Sequence, residues 1–190
     1  MNLIYEAAKE VCDFMHKQGW KFCMIGGLAV QRWGEPRLTQ DADFTLLTGF
    51  GNEESHIDTL LGQFIPRYDD ARSFALINRV LLLYAANGIP VDISLGALPY
   101  EEEVVKHATC FDFDDTYSLP TCSADDLFVM KMFASRDRDI KDAKGIVVRQ
   151  GATLKKKYII SRLKDLCDAV DRPEILAAAK YILEDKSWRK

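Results

Sequence analysis

MIGGLAVQRWGEPRLTQDADFTLL, residues 24–47, decides how this chain folds. It opens at the end of KFCMI (21–25), an apolar run whose length suits a short buried strand. Gly26-Gly27 interrupts that run, helical spacing resumes over 28–33, and Gly34-Glu35-Pro36 ends it. Residues 41–47, DADFTLL, suit a strand that carries Asp41 and Asp43 on one face.

Upstream, Leu3, Ala7, Val11 and Phe14 recur at helical spacing within residues 2–17, and Gly19 supplies a stop. Downstream, residues 53–65 read as a helix. Two extended segments, 74–86 and 90–95, are joined around Asn87-Gly88, a strong hairpin signal between apolar runs. Residues 99–108 read as another helix. Ser123, ahead of Asp125 and Asp126, predicts an N-cap for a helix reaching to about 134. Residues 137–149, 155–170 and 173–185 also read as helices, the last opened by Pro173. The expected class is α+β, a mixed α/β core with an antiparallel pair followed by helices. The expected division is a core over 1–120 and a helical C-terminal subdomain over 121–190, packed on that core.

The chemistry gathers around three carboxylates. At i and i+2 on a strand, Asp41 and Asp43 project the same way and repel each other unless a cation lies between them. Magnesium takes oxygen ligands and keeps positions open for substrate phosphates. Asp92 lies in IPVDISLG, an apolar run in which a carboxylate needs a partner or a metal. The plain alternatives are surface acids on an edge strand and an aspartate at a strand end. Gly26 and Gly27, between a strand and a helix, would let backbone N–H groups approach a phosphate chain, although a Gly-Gly is often only a tight turn. Arg37 and Thr39, just before the acids, are placed to reach phosphate oxygens or to be ordinary loop residues. Lys131 is the single charge in LFVMKMFA (127–134) and either snorkels outward or meets an anion. Asp139 and Asp142 share a helix face, where they pair with Lys131, Arg136 or Arg138, or act directly.

Bulk properties narrow the class. Hydrophobic residues make up 48% and charged residues 28% of 190, a globular composition. Five cysteines without C-x-x-C spacing argue against a disulfide framework or zinc knuckle and suit a reducing cytoplasm. The run Val80–Ala86 falls far short of the roughly 20 residues that span a bilayer. His16, His56 and His107 are scattered and show no metal spacing. The net charge of −4 conceals an asymmetry: residues 131–164 hold 11 Lys and Arg against 3 Asp, or +8, leaving −12 elsewhere. Such a segment either faces phosphates or is a solvated helical face.

Taken together, Gly26-Gly27-Leu28-Ala29, Arg37-x-Thr39-x-Asp41-x-Asp43, Val91-Asp92-Ile93, Asp126-Leu127 with Lys131, and Arg138-Asp139-Ile140 with Asp142 resemble the polymerase-β-type nucleotidyltransferase superfamily. The resemblance is to its small prokaryotic AbiEii/MenT-like toxin branch and runs from about residue 20 to about 145. It implies a mixed sheet flanked by helices with a helical C-terminal part. It implies attack of an acceptor hydroxyl on the α-phosphate of an NTP, with release of pyrophosphate. Asp41, Asp43 and Asp92 would hold two Mg2+ ions, and Asp92 would help to deprotonate the hydroxyl. Gly26, Gly27, Arg37, Thr39, Lys131 and Asp139 would form the nucleotide site. RNA, including tRNA ends, would be an acceptor, and a cognate antitoxin a partner. Many superfamily members carry Gly-Ser in the phosphate turn; here Gly27 leaves only backbone groups. Transfer to a small molecule such as an aminoglycoside, or a non-catalytic binding module, are the competing readings.

Overall fold

Along DADFTLL, alternate residues go to opposite faces. Ala42, Phe44 and Leu46 are fully buried in the main core, while Asp43 is only half-buried on the other face. The computed structural model describes residues 2–114 and 116–184. The end of the last expected helix, residue 185, lies outside them.

By packing, the chain forms two units, Met1–Leu28 with Leu38–Cys122, and Ala29–Arg37 with Ser123–Lys190. The first contains α1 (Leu3–Lys17), β1 (Phe22–Met24), β2 (Ala42–Leu47), α3 (Glu53–Leu61), β3 (Ile65–Pro66), α4 (Ala71–Asn78), β4 (Val80–Tyr84), β5 (Pro90–Gly96), α5 (Pro99–Lys106), β6 (Thr109–Asp112) and β7 (Ser118–Thr121). α2 (Gly26–Trp33) starts in the first unit and continues in the second. Among the described residues the strands form one mixed sheet in the order β3-β4-β5-β2-β1-β7-β6. β2 and β5 run parallel at its centre, flanked by antiparallel neighbours. α1 lies on the sheet through Ala7, Ala8, Val11 and Met15, all fully buried.

The hairpin at Asn87-Gly88 forms as the sequence predicts. β4 and β5 pair antiparallel, Gly88 takes φ +80°, and the Ala85 N–H donates to the Ile89 carbonyl at 2.9 Å. The segment preceding it departs from expectation. Residues 71–78 are helical, and the strand begins only at Val80. Ala71 and Ala75, one turn apart, are buried and set a helical period that the apolar richness of 74–86 conceals. Arg79, at φ +53°, makes the left-handed turn between helix and strand. The strands β3, β6 and β7, of two to four residues, are too short to show a period in the sequence.

The second unit holds α6 (Ala124–Ala134), α7 (Asp137–Gln150), α8 (Lys156–Val170) and α9 (Pro173–Glu184). The Ser123 hydroxyl accepts from the Asp126 N–H at 3.1 Å, which is the predicted cap. α6 is apolar around most of its circumference, so it packs centrally against α7, α8 and α9. Asp126, fully buried, is satisfied there by the hydroxyls of Ser123 and Tyr158. Among the described residues no helix is long and apolar enough to cross a membrane.

Candidate active site

Parallel pairing of β2 with β5 puts Asp43 and Asp92 in register on neighbouring strands. Asp41, two residues earlier, faces the same way. All three carboxylates are half-buried, and each offers an oxygen within 4.8 Å of the others. Each also has its own donor. The Thr39 hydroxyl donates to Asp41 Oδ1 at 2.9 Å, the Gly27 N–H to Asp43 Oδ2 at 3.2 Å, and Arg67 Nη1 to Asp92 Oδ1 at 2.5 Å.

Electrostatics make this group uncomfortable without a cation. Burial pushes the Asp92 carboxyl above its ordinary range, the charge of Asp41 adds to that, and Arg67 opposes both. Three carboxylates crowd one sheet face, and Arg67 is the side-chain cation hydrogen-bonded to Asp92. An all-oxygen, carboxylate-rich donor set of this kind fits a hard divalent ion such as Mg2+.

The glycine turn owes its composition to the acids beside it. A Cβ on Gly26 would lie 1.9 Å from Asp43 Oδ2, and one on Gly27 would lie 2.2 Å from Thr39 Oγ1. Gly26 also takes φ +62°. The turn is thus pressed against Asp43 and Thr39, with the N–H of Gly27 already directed at a carboxylate.

In the second unit, Arg37 grips Asp142 in bidentate fashion at 2.8 and 2.9 Å. Lys131 Nζ lies 3.0 Å from Asp139 Oδ1 and 2.9 Å from Asp142 Oδ2, and Arg136 closes on Asp139 Oδ2 at 2.5 Å. Lys131, Asp139 and Asp142 are all buried. The anion that Lys131 meets is therefore a pair of carboxylates. Burial opposes ionisation of Asp139 and Asp142. Hydrogen bonds from Arg136 and Lys131 to Asp139, and from Arg37 and Lys131 to Asp142, still hold both carboxyls below their usual range.

The profile of the nucleotidyl transferase AbiEii toxin family, of type IV toxin–antitoxin systems, matches residues 16–169. The chain belongs to that family. Solved nucleotidyltransferases share the AbiEii chain's fold. The antibiotic-resistance factor ANT(2'')-Ia superposes with a TM-score of 0.56 at 12% identity, over 90% of this chain and 96% of its own. An antigenic nucleotidyltransferase-like protein from Paracoccidioides brasiliensis gives 0.54 at 12% identity, over 93% and 92%. The lincosamide antibiotic adenylyltransferase LnuA, with lincomycin bound, gives 0.51 at 11% identity, over 74% and 94%. No curated protein matches by sequence.

Arg67 is the residue of this AbiEii chain's acid site that the sequence did not mark. It follows a strand of two residues, Ile65–Pro66, too short to register as periodicity. Only the assembled sheet brings it to Asp92.

Proposed function

We propose that this chain moves an NMP from an NTP to an acceptor hydroxyl, with Mg2+ held by Asp41, Asp43 and Asp92. The observation that carries the reading is the convergence of those three carboxylates within 4.8 Å, Asp43 and Asp92 on paired strand positions and Asp41 just before β2. Bound there, two Mg2+ ions would supply charge stabilisation to the attacking and leaving oxygens. Asp92, the third carboxylate and in register beside Asp43, is the one the family resemblance assigns to help take the acceptor's proton. As that proton leaves, the acceptor oxygen bonds the α-phosphorus, the bond to the bridging oxygen breaks, and pyrophosphate departs. Gly26 and Gly27 bring backbone close to the acids where the triphosphate would lie, and Thr39 orients Asp41.

Lys131, Asp139 and Arg37 enter this reading as an internal anchor of the second unit rather than as NTP ligands, since they already satisfy one another with Asp142 and Arg136. A cognate antitoxin is proposed from the type IV toxin–antitoxin description of the family, and an RNA acceptor, tRNA included, from the resemblance of the site motifs to the toxin branch. Within the basic segment, Lys131, Arg136, Arg162 and Lys164 are ion-paired within the chain, while the consecutive Lys155, Lys156 and Lys157 are exposed, Lys156 Nζ also donating to the Leu183 carbonyl at 2.5 Å. Those three are the candidates for a phosphate backbone. Neutralising all three should weaken RNA binding and flatten its salt dependence; unchanged binding would remove the RNA surface.

The deciding experiment supplies each α-labelled NTP with Mg2+ to total RNA and, separately, to aminoglycosides and lincosamides. Label in RNA that disappears in Asp41→Ala/Asp43→Ala establishes the reaction and its acceptor. Label only in the small molecules would replace RNA with that class. Mg2+–NTP binding without transfer to any acceptor would leave a binding module.

A further inference from the structure

Arg67 stands two strands away from the carboxylate it holds. Ile65 and Pro66 of β3 pair with Tyr84 and Leu83 of β4, and the Arg67 N–H donates to the Leu82 carbonyl at 3.0 Å. Leu82 in turn lies opposite Asp92 across the β4–β5 pair. The backbone of Arg67 is thus anchored at the level of Asp92, separated from it by two strand spacings, roughly 9–10 Å. A long side chain spans that gap over β4 and ends 2.5 Å from Asp92 Oδ1. Both partners remain about a quarter to a third exposed, at 26% and 30%, so the guanidinium is held but not walled in.

A cation at this place has a consequence for any other cation. We infer that Arg67 is a positioning residue that serves as the acid triad's own counter-cation, holding Asp92 and competing with a divalent ion for the same charge. The inference rests on the metal-site reading above. It assigns Arg67 a role that a purely structural ion pair would not have: it lowers the affinity of the triad for a divalent ion. A +1 charge held about 5 Å from a +2 ion in a water-rich setting weakens that ion's binding by about tenfold. Charge rather than the fork of the guanidinium carries the effect, so lysine should largely reproduce it if its ammonium reaches Asp92.

The test measures Mn2+ binding to the full chain by electron paramagnetic resonance. Arg67→Met and Arg67→Gln, Arg67→Lys, and each of these combined with Asp43→Asn, are compared with wild type. Arg67→Met and Arg67→Gln should bind Mn2+ about tenfold more tightly than wild type, Arg67→Lys within about threefold of it, and Asp43→Asn should abolish saturable binding in every background. Equal or weaker binding in both neutral variants, with binding still dependent on Asp43, overturns the counter-cation role and leaves the metal site standing. No Asp43-dependent Mn2+ binding in any variant overturns the metal site itself, and the role of Arg67 with it. Having two neutral variants guards against one that fails to fold.

Discussion

Asp43 and Asp92 face each other across the central parallel pair, in register, on the sheet face opposite Phe44 and Ile93. Slipping β5 by one residue would turn Asp92 into the core and bring Val91 or Ile93 to the surface. The same register therefore buries the core and assembles the acid site, which ties the site's geometry to the most heavily paired part of the sheet.

Replacing Asp43 with Asn should leave the fold intact and relieve repulsion from Asp41 and Asp92. Thermal stability without added metal should hold or rise slightly. Nucleotidyl transfer should fall by roughly 100- to 1000-fold, the loss of about 3–4 kcal/mol of transition-state charge stabilisation. Chelating Mg2+ from the wild type should reproduce that loss. Transfer within threefold of wild type in the variant would remove Asp43 from the machinery.

Gly26→Ala has two penalties that a control can separate. Its φ of +62° costs a side chain about 1–2 kcal/mol, and its Cβ would meet Asp43 Oδ2. Gly19 has a similar φ, +71°, with nothing within 4 Å of a Cβ. Gly19→Ala should thus lose only the backbone share, roughly 2–8 °C in Tm, and keep full activity. Gly26→Ala should lose more stability and most of its transfer activity. Equal losses of activity in both would show that displacement of Asp43 is not the cause.

The fold was legible in the sequence where period and punctuation agree. The hairpin follows from Asn87-Gly88, and the cap at Ser123 from the acids after it. The i, i+2 spacing of Asp41 and Asp43 suggests a shared face, and their carboxylates do come together although Asp41 lies in the bend just before β2. Residues 71–78 escaped because a short helix and a strand both tolerate FALI, and only the burial of Ala71 and Ala75 chooses between them. Arg67 escaped for a different reason. Its partner lies 25 residues away across two strands, and pairing at that distance has no local signature. The Gly-Gly turn was visible, but its steric reason, the closeness of Asp43 and Thr39, belongs to the folded chain.

Lys131→Met separates anchoring from nucleotide binding. Removing the lysine leaves Asp139 with Arg136 and Asp142 with Arg37, so the buried carboxylates lose part of their compensation. Unfolding in urea should show a loss of about 3 kcal/mol. The KM for NTP should stay within about twofold of wild type. A KM raised tenfold or more with wild-type stability would give Lys131 to the triphosphate instead.

Acid should expose the same cluster through linkage. Asp139 and Asp142 titrate below the ordinary carboxylate range of about 4 in the folded chain, despite burial, because Arg136, Lys131 and Arg37 favour their ionised forms. A depressed carboxyl contributes stability that is present above its unfolded pKa and lost as pH falls through the folded one. The unfolded chain binds more protons in that window, so lowering the pH from about 5 toward 3 should destabilise the wild type. Asp142→Asn removes one of the two depressed groups. It should be less stable than wild type at pH 7, where Arg37 and Lys131 have lost their shared partner. Its stability should also fall less steeply with acid, so that the two curves converge toward pH 3. Urea unfolding of both proteins at intervals between pH 7 and 3 measures this difference directly. Parallel curves would mean that Asp142 is not held ionised by its neighbours, and that its bonds to Arg37 and Lys131 contribute little to folding.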